Sequence, residues 1–115
     1  MPSDAEWTTL EDYLGGASVA GGKMKSTGTI QAGTGLWQDP NTDATNSSGF
    51  TGLPGGTRTN GGTYHAIGYN GLWWSSTEYS SWTTWIRILY YGNGDSVRNG
   101  GNLETDGFSV RCLRD

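Results

Sequence analysis

The sequence is poor in the residues that build metal centres, disulfide cores and catalytic triads. It holds one cysteine, Cys112, and one histidine, His65. A single cysteine closes no internal disulfide, and one of each residue makes no His/Cys zinc cluster. A Ser-His-Asp nucleophile is possible by count, but no G-x-S-x-G elbow is present. Apolar runs are short, well below the ~18 residues of a membrane-spanning helix, so direct membrane insertion is not expected. The opening Met1-Pro2-Ser3-Asp4 is polar and gives this chain no signal-peptide pattern. Basic residues are few, 7 against 11 acidic ones for a formal net charge of −4. They are also scattered, which argues against nucleic acid as a partner, since that needs a basic stripe. Leu, Ile, Val and Phe together number only 17 of the 115 residues. That is below the roughly 20% under which disorder becomes a live reading.

Aromatic residues argue the other way. Six Trp, six Tyr and two Phe can each bury ~150–250 Å². The expectation is a folded, loop-rich single domain over residues 1–115, with a core that leans on rings. Ser3 and Glu6 form an S-x-x-E capping box, and Trp7, Leu10 and Leu14 share one helical face. A helix is therefore predicted over 3–14, stopped by Gly15-Gly16. Residues 17–26 suggest a second short helix, weakened by Gly21-Gly22 at about 1 kcal/mol per glycine. Residues 27–46 read as a long connection held by Trp37. Predicted strands follow at 49–53, 58–59, 71–76, 83–91, 96–98 and 108–113. The 83–91 strand is partly apolar on both faces and is expected at the centre of its sheet. Gly92-Asn93-Gly94-Asp95 makes Tyr91–Arg98 a hairpin, and Asn99–Asn102 reads as another turn. The terminal strand alternates Phe108, Val110 and Cys112 with Ser109 and Arg111, which would bury Cys112. The fold class is α+β, a helix first and then a small twisted antiparallel sheet with long loops.

Several blocks occur in one order along the whole chain. They are Pro2-Ser3-Asp4-Ala5-Glu6-Trp7 with Tyr13-Leu14-Gly15-Gly16, Gly21-Gly22-Lys23-Met24-Lys25, Gly49 to Arg58, Trp73 to Glu78, and Gly107 to Cys112. Together they resemble the Fibrobacter succinogenes major paralogous domain, common in surface proteins and lipoproteins of Bacteroidetes-type bacteria. The resemblance implies a C-type-lectin-like domain, shared more distantly with formylglycine-generating enzymes. It also implies an extracellular, cell-surface or phage-particle location. The chain is similar, too, to the variable proteins of diversity-generating retroelements, which display a mutated, ring-rich stretch as a binding face. Members of the family usually carry an upstream segment ending in Cys-Pro-x-Gly-Trp. The resemblance implies that this segment holds the partner of Cys112, and Met1 stands where it would finish.

Residues 79–102 have the composition of such a face. Tyr79, Trp82, Trp85 and Tyr91 (with Tyr90) offer large, stiff contact areas, and Arg87, Asn93, Asp95, Arg98 and Asn99 offer polar contacts. The expected function is non-catalytic, metal-free recognition of a protein or carbohydrate ligand by this face, with no cofactor. The alternatives are a structural or adhesive envelope domain without a ligand, or a degenerate formylglycine-generating-enzyme-like protein. Asp39, Asn41 and Asp43 supply too few oxygens for calcium. Gly21-Gly22-Lys23-Met24 lacks P-loop spacing. The paired Trp73-Trp74 reads as a scaffold strand with its two rings on opposite faces.

Overall fold

Ser3 opens the first helix, as its sequence context requires. In a computed structural model, which describes residues 1–114, α1 spans Asp4–Tyr13. The Ser3 hydroxyl accepts the Glu6 N–H at 3.1 Å, and the Glu6 carboxylate accepts the Ser3 N–H at 3.0 Å. Trp7 and Leu14 are buried and Leu10 is half-buried, so the predicted apolar face is the one that packs. Helix α2 spans Ala17–Met24. Its two glycines have a packing reason. A Cβ on Gly21 would collide with the carbonyl of Asp95, and the Gly22 N–H donates to the Gly94 carbonyl at 3.0 Å. The helix therefore loses some intrinsic propensity and gains close contact with the β-turn ahead.

Residues 25–56 form no named strand. Trp37 holds this stretch as expected: it is fully buried, and its indole N–H lies 3.1 Å from both the Gly52 carbonyl and the Ser26 hydroxyl. The strand expected at 49–53 reduces to one bridge between Gly52 and Lys25. Gly49 and Thr51 both take positive φ, which breaks an extended run.

Two antiparallel sheets follow. In the smaller, β1 (Thr57–Arg58) pairs with β2 (Tyr64–His65). The predicted 58–59 strand was one residue late, and its short partner carried no periodicity to read. In the larger, β3 (Asn70–Ser80), β4 (Thr83–Tyr90) and β5 (Ser96–Leu103) lie in the order β3-β4-β5. The 83–91 segment is thus central, and 91–98 contains the hairpin turn. Residues 99–102 are strand and not turn. A register shift opposite Thr84/Ile86 absorbs Gly100 and Gly101 as a bulge. The terminal strand also differs from expectation. Ser109 pairs with β3, its N–H donating to Leu72 at 2.9 Å and its carbonyl accepting from Trp74 at 3.1 Å. Among the described residues beyond it no strand forms, because no neighbouring strand lies alongside. Cys112 is exposed, contrary to the buried position expected for it.

The sheet is covered on both faces. On one, Trp73 and Leu89 pack with Trp7, Leu14, Ala20, Met24 and Trp37. Phe50 meets Trp7 and Trp73 edge-on at 5.8 and 5.5 Å between centroids. On the other, Leu72, Ile86 and Ile88 pack with Trp74, Val97 and Phe108. The adjacent tryptophans therefore serve opposite layers, as their spacing predicts. The arrangement is α+β. Among the described residues no helix is long and apolar enough to cross a membrane.

Candidate binding site

The nine candidate contacts do not form one patch. The fold divides them between the two ends of the β4–β5 hairpin, with one residue buried between.

At the β3–β4 end, β3 delivers Tyr79, the connecting turn delivers Trp82, β4 delivers Trp85, and β5 delivers Arg98 and Asn99. The Tyr79 and Trp85 rings meet edge-on, 4.8 Å between centroids and 79° between planes. Arg98 lies flat against Trp85, its guanidinium carbon 3.4 Å from the ring centroid, a cation–π stack. Gly100 forms the floor: a Cβ there would stand 2.5 Å from the Tyr79 ring and 2.8 Å from Trp85. Trp82 makes no ring contact with the stack and is 76% exposed. Asn99 Oδ1 accepts from Asn102 Nδ2 at 2.7 Å and from the Gly101 N–H at 3.2 Å. An ordered amide pair thus lies on the same strand as Arg98.

This platform is tied to α1. Arg98 grips the Asp4 carboxylate with two donors, Nε to Oδ1 at 3.0 Å and Nη2 to Oδ2 at 2.7 Å. The bidentate geometry fixes the guanidinium plane as well as its position. The Arg98 bond holds the Asp4 carboxyl below its ordinary value, with Arg87 adding to the effect against partial burial. Asp4 in turn raises Arg98. The Asp4 N–H donates to the Thr77 hydroxyl at 2.9 Å, closing the link back to β3.

Arg87 is the buried residue. It was expected to face a ligand, but its side chain has no exposed surface. It lies on the face of β4 that also carries Trp85 and Leu89, and α1 covers it. Its guanidinium bonds Glu11, Asp4 at 2.7 Å and the Thr8 hydroxyl at 3.0 Å. Every nitrogen is committed, so Arg87 anchors the helix under the platform and offers nothing to a ligand.

Tyr91, Asn93 and Asp95 sit at the other end of the hairpin, against α2. Tyr91 packs on the main core and meets Tyr69 edge-on at 5.0 Å. Asn93 Oδ1 accepts the Asp95 N–H at 3.0 Å, a turn-closing bond. Lys25, which has no exposed surface, pins this turn. Its ammonium donates to the carbonyls of Thr42 at 2.7 Å, Tyr90 at 2.9 Å and Asn93 at 3.0 Å. Burial pushes its pKa down to about 8, with Asp43 acting in the opposite direction. These three candidate residues serve the fold before they serve any ligand.

The sequence pattern gives none of Asp4, Thr8, Glu11 and Lys25 a role in the site, although Asp4 and Lys25 lie in the blocks that carry the family resemblance. Glu11 shares the helical side of Trp7 and Leu14, which is the local signal of its burial. Among the described residues no group of three or more His, Cys, Asp or Glu is placed to hold a metal ion. His65 is exposed on β2.

No curated protein and no solved structure matches the chain. A family match covers residues 1–114, which includes both helices, both sheets and every residue of the platform. The chain belongs to the Fibrobacter succinogenes major domain family.

Proposed function

We propose that this domain is a non-catalytic, surface-displayed binding module, and that its ligand, a protein or a glycan, docks on the Tyr79–Trp82–Trp85–Arg98–Asn99 platform. The observation that carries this reading is Trp82. A 76% exposed indole is carried on the turn between the two strands that hold an edge-on ring pair, whose orientation is fixed from below by Gly100 and from the side by Arg98 and Asp4. Rigid aromatic anchors with adaptable amides nearby give contact area at low entropic cost. The Asn99–Asn102 amides suit either the hydroxyls of a sugar or the backbone of a protein loop. The C-type-lectin-like character implied by the family, and its likeness to the variable proteins of diversity-generating retroelements, point the same way. In this reading the platform codons within 79–102 vary between clones while those of Arg87, Lys25 and the core stay fixed, and the module works outside the cell.

The test is a glycan array and a displayed-protein screen probed with the wild-type domain and with Trp82→Ala. The reading expects hits that weaken by about tenfold or more in the variant, the usual loss at an aromatic hot spot, at unchanged melting temperature. Hits that survive both Trp82→Ala and Tyr79→Ala would move the binding face elsewhere. An absence of hits in both screens would favour the structural or adhesive alternative.

A further inference from the structure

A second pocket, sharing no residue with the platform, opens on the smaller sheet. Gly107 extends that sheet by one bridge, and its N–H and carbonyl both pair with Arg58. Arg58 thereby commits its backbone groups to Gly107. Its pair with Tyr64 is then of the non-hydrogen-bonded kind, in which side chains stand closest. Tyr64, Arg58 and Gly107 form one row on one face. The side chain missing at Gly107 leaves a pocket of about 240 Å³ beside that row, walled also by Gly55, Thr57 and Ser109.

The polar groups around it are placed by the fold but not used by it. The Arg58 stem runs along Gly107, where a Cβ would stand 3.2 Å from Arg58 Cβ and 3.9 Å from Cδ. Its Nη2 ends 3.4 Å from where a Gly62 Cβ would be. Two glycines thus clear the path of this side chain. The residue is exposed, and among the described residues no carboxylate lies within ion-pair distance of its guanidinium. Ser109 is tied to β3 through its N–H and its carbonyl, which sets its hydroxyl 3.2 Å from the place of a Gly55 Cβ. The Thr57 hydroxyl donates to the Gly107 carbonyl at 3.3 Å and keeps its lone pairs. Tyr64 is 67% exposed. No acidic residue lines the pocket.

We propose that this pocket binds a sugar ring that carries a carboxylate, a uronic acid residue. The planar Arg58 fork matches a carboxylate. Tyr64, directly across the sheet from it, offers a ring face to the sugar's C–H groups. The Ser109 and Thr57 hydroxyls meet the sugar's own hydroxyls. Other small ligands satisfy less of the wall. Inorganic phosphate would use Arg58 and leave Tyr64 uncovered. A free amino acid would bring an ammonium that finds no acid here. A neutral sugar would leave the guanidinium unpaired. The volume is below the ~300–1,000 Å³ of pockets for drug-sized ligands, which fits one ring and not an oligosaccharide.

The test is an NMR titration of the intact, isotope-labelled chain with sodium glucuronate, glucose, acetate and inorganic phosphate at one ionic strength. Glucuronate should saturate at tens of millimolar or below and shift the Arg58 Nε–H and the amides of Tyr64 and Ser109. The other three should bind at least about tenfold more weakly. Arg58→Gln should weaken glucuronate by about tenfold or more, the scale of one charge-assisted hydrogen bond. Tyr64→Ala should weaken it as well, at a side chain too exposed to matter for folding. Trp82→Ala should leave it unchanged, which separates this site from the platform. Equal affinity for acetate or phosphate would reduce the site to a bare cation and overturn the sugar. Equal affinity for glucose, or full binding by Arg58→Gln, would overturn the carboxylate. A lack of saturation by glucuronate would overturn the proposal as a whole.

Discussion

Lys25 gives the sharpest test of the packing logic. Its ammonium sits in a cage of three carbonyls, 5.4 Å from the centroid of the Trp37 ring. Lys25→Met keeps the apolar stem and removes the donor. Three carbonyls, one from the loop at Thr42 and two from the hairpin turn, then lose a partner, at about 1 kcal/mol each or more, so the expected loss at pH 7 is about 3 kcal/mol. The pH dependence has a definite sign. The unfolded chain holds the Lys25 proton up to 10.5, while the folded chain releases it near 8. Between those values the unfolded state binds more protons, so the wild-type protein gains stability as pH rises. The full gain over that interval is about 3 kcal/mol, at 1.36 kcal/mol per pH unit. Lys25→Met cannot show it. Urea denaturation followed by tryptophan fluorescence, at pH 7, 8 and 9.5, measures the difference between the two proteins. Subtraction cancels tyrosine titration, and a Cys112→Ser background removes the thiol. The gap should widen with pH. A gap that narrows would mean that the carbonyls hold the proton more tightly than burial expels it. A loss below about 1 kcal/mol at pH 7 would mean that the cage does not organise the turn.

Further outcomes follow from the same contacts. Arg87→Met should cost about 3–5 kcal/mol in chemical denaturation, because Glu11 is left as an uncompensated buried charge and Asp4 keeps only Arg98. The double variant with Glu11→Leu should recover part of that loss. Asp4→Asn should loosen Arg98 from the helix, seen as faster motion of the Arg98 Nε–H by NMR relaxation with the core unchanged. In the wild type the stabilisation from Asp4 is complete above the ordinary carboxyl value of 3.8 and is lost as pH falls through its lowered folded value. Asp4→Asn should therefore flatten the acid limb of a stability profile. Gly21→Ala should lower the melting temperature despite alanine's better helix propensity, since its methyl meets the Asp95 carbonyl. A rise would show that the turn yields freely.

How much of this was legible in the sequence differs by element. The first helix carried three agreeing signals in Ser3, Glu6 and the Trp7–Leu10–Leu14 face, and it forms as read. The central strand was readable because Ile86 and Ile88 on one side and Leu89 on the other demand cover on both faces. The turn read at Asn99–Asn102 failed for a tertiary reason. Gly100 is there to let Tyr79 and Trp85 lie over the strand, so turn-like composition marked a bulge. The terminal strand failed because a strand needs a neighbour, which alternation along one segment does not report. Arg87 was misread for a related reason. In a ring-rich, charge-poor segment it looked like a contact residue. Its partners Asp4 and Glu11 are 83 and 76 positions away, and nothing local betrays such a pairing.

The separation of roles along the hairpin bears on how a variable face could be carried by so small a core. Residues 79–102 contain binding candidates and structural anchors in alternation, with Trp85 and Arg87 two positions apart on one face of β4. The helix decides between them. It ends its cover at Asp4, whose carboxylate takes Arg87 from the buried side and Arg98 from the exposed side. Inward of that residue a substitution breaks an ion pair and costs folding energy. Outward of it, at Tyr79, Trp82 and Asn99, a substitution meets water or other surface rings and costs little. A single carboxylate at the first turn of α1 thus marks the boundary between residues the fold requires and residues it leaves free to change. The platform can vary in sequence as long as Asp4 and its two arginines remain.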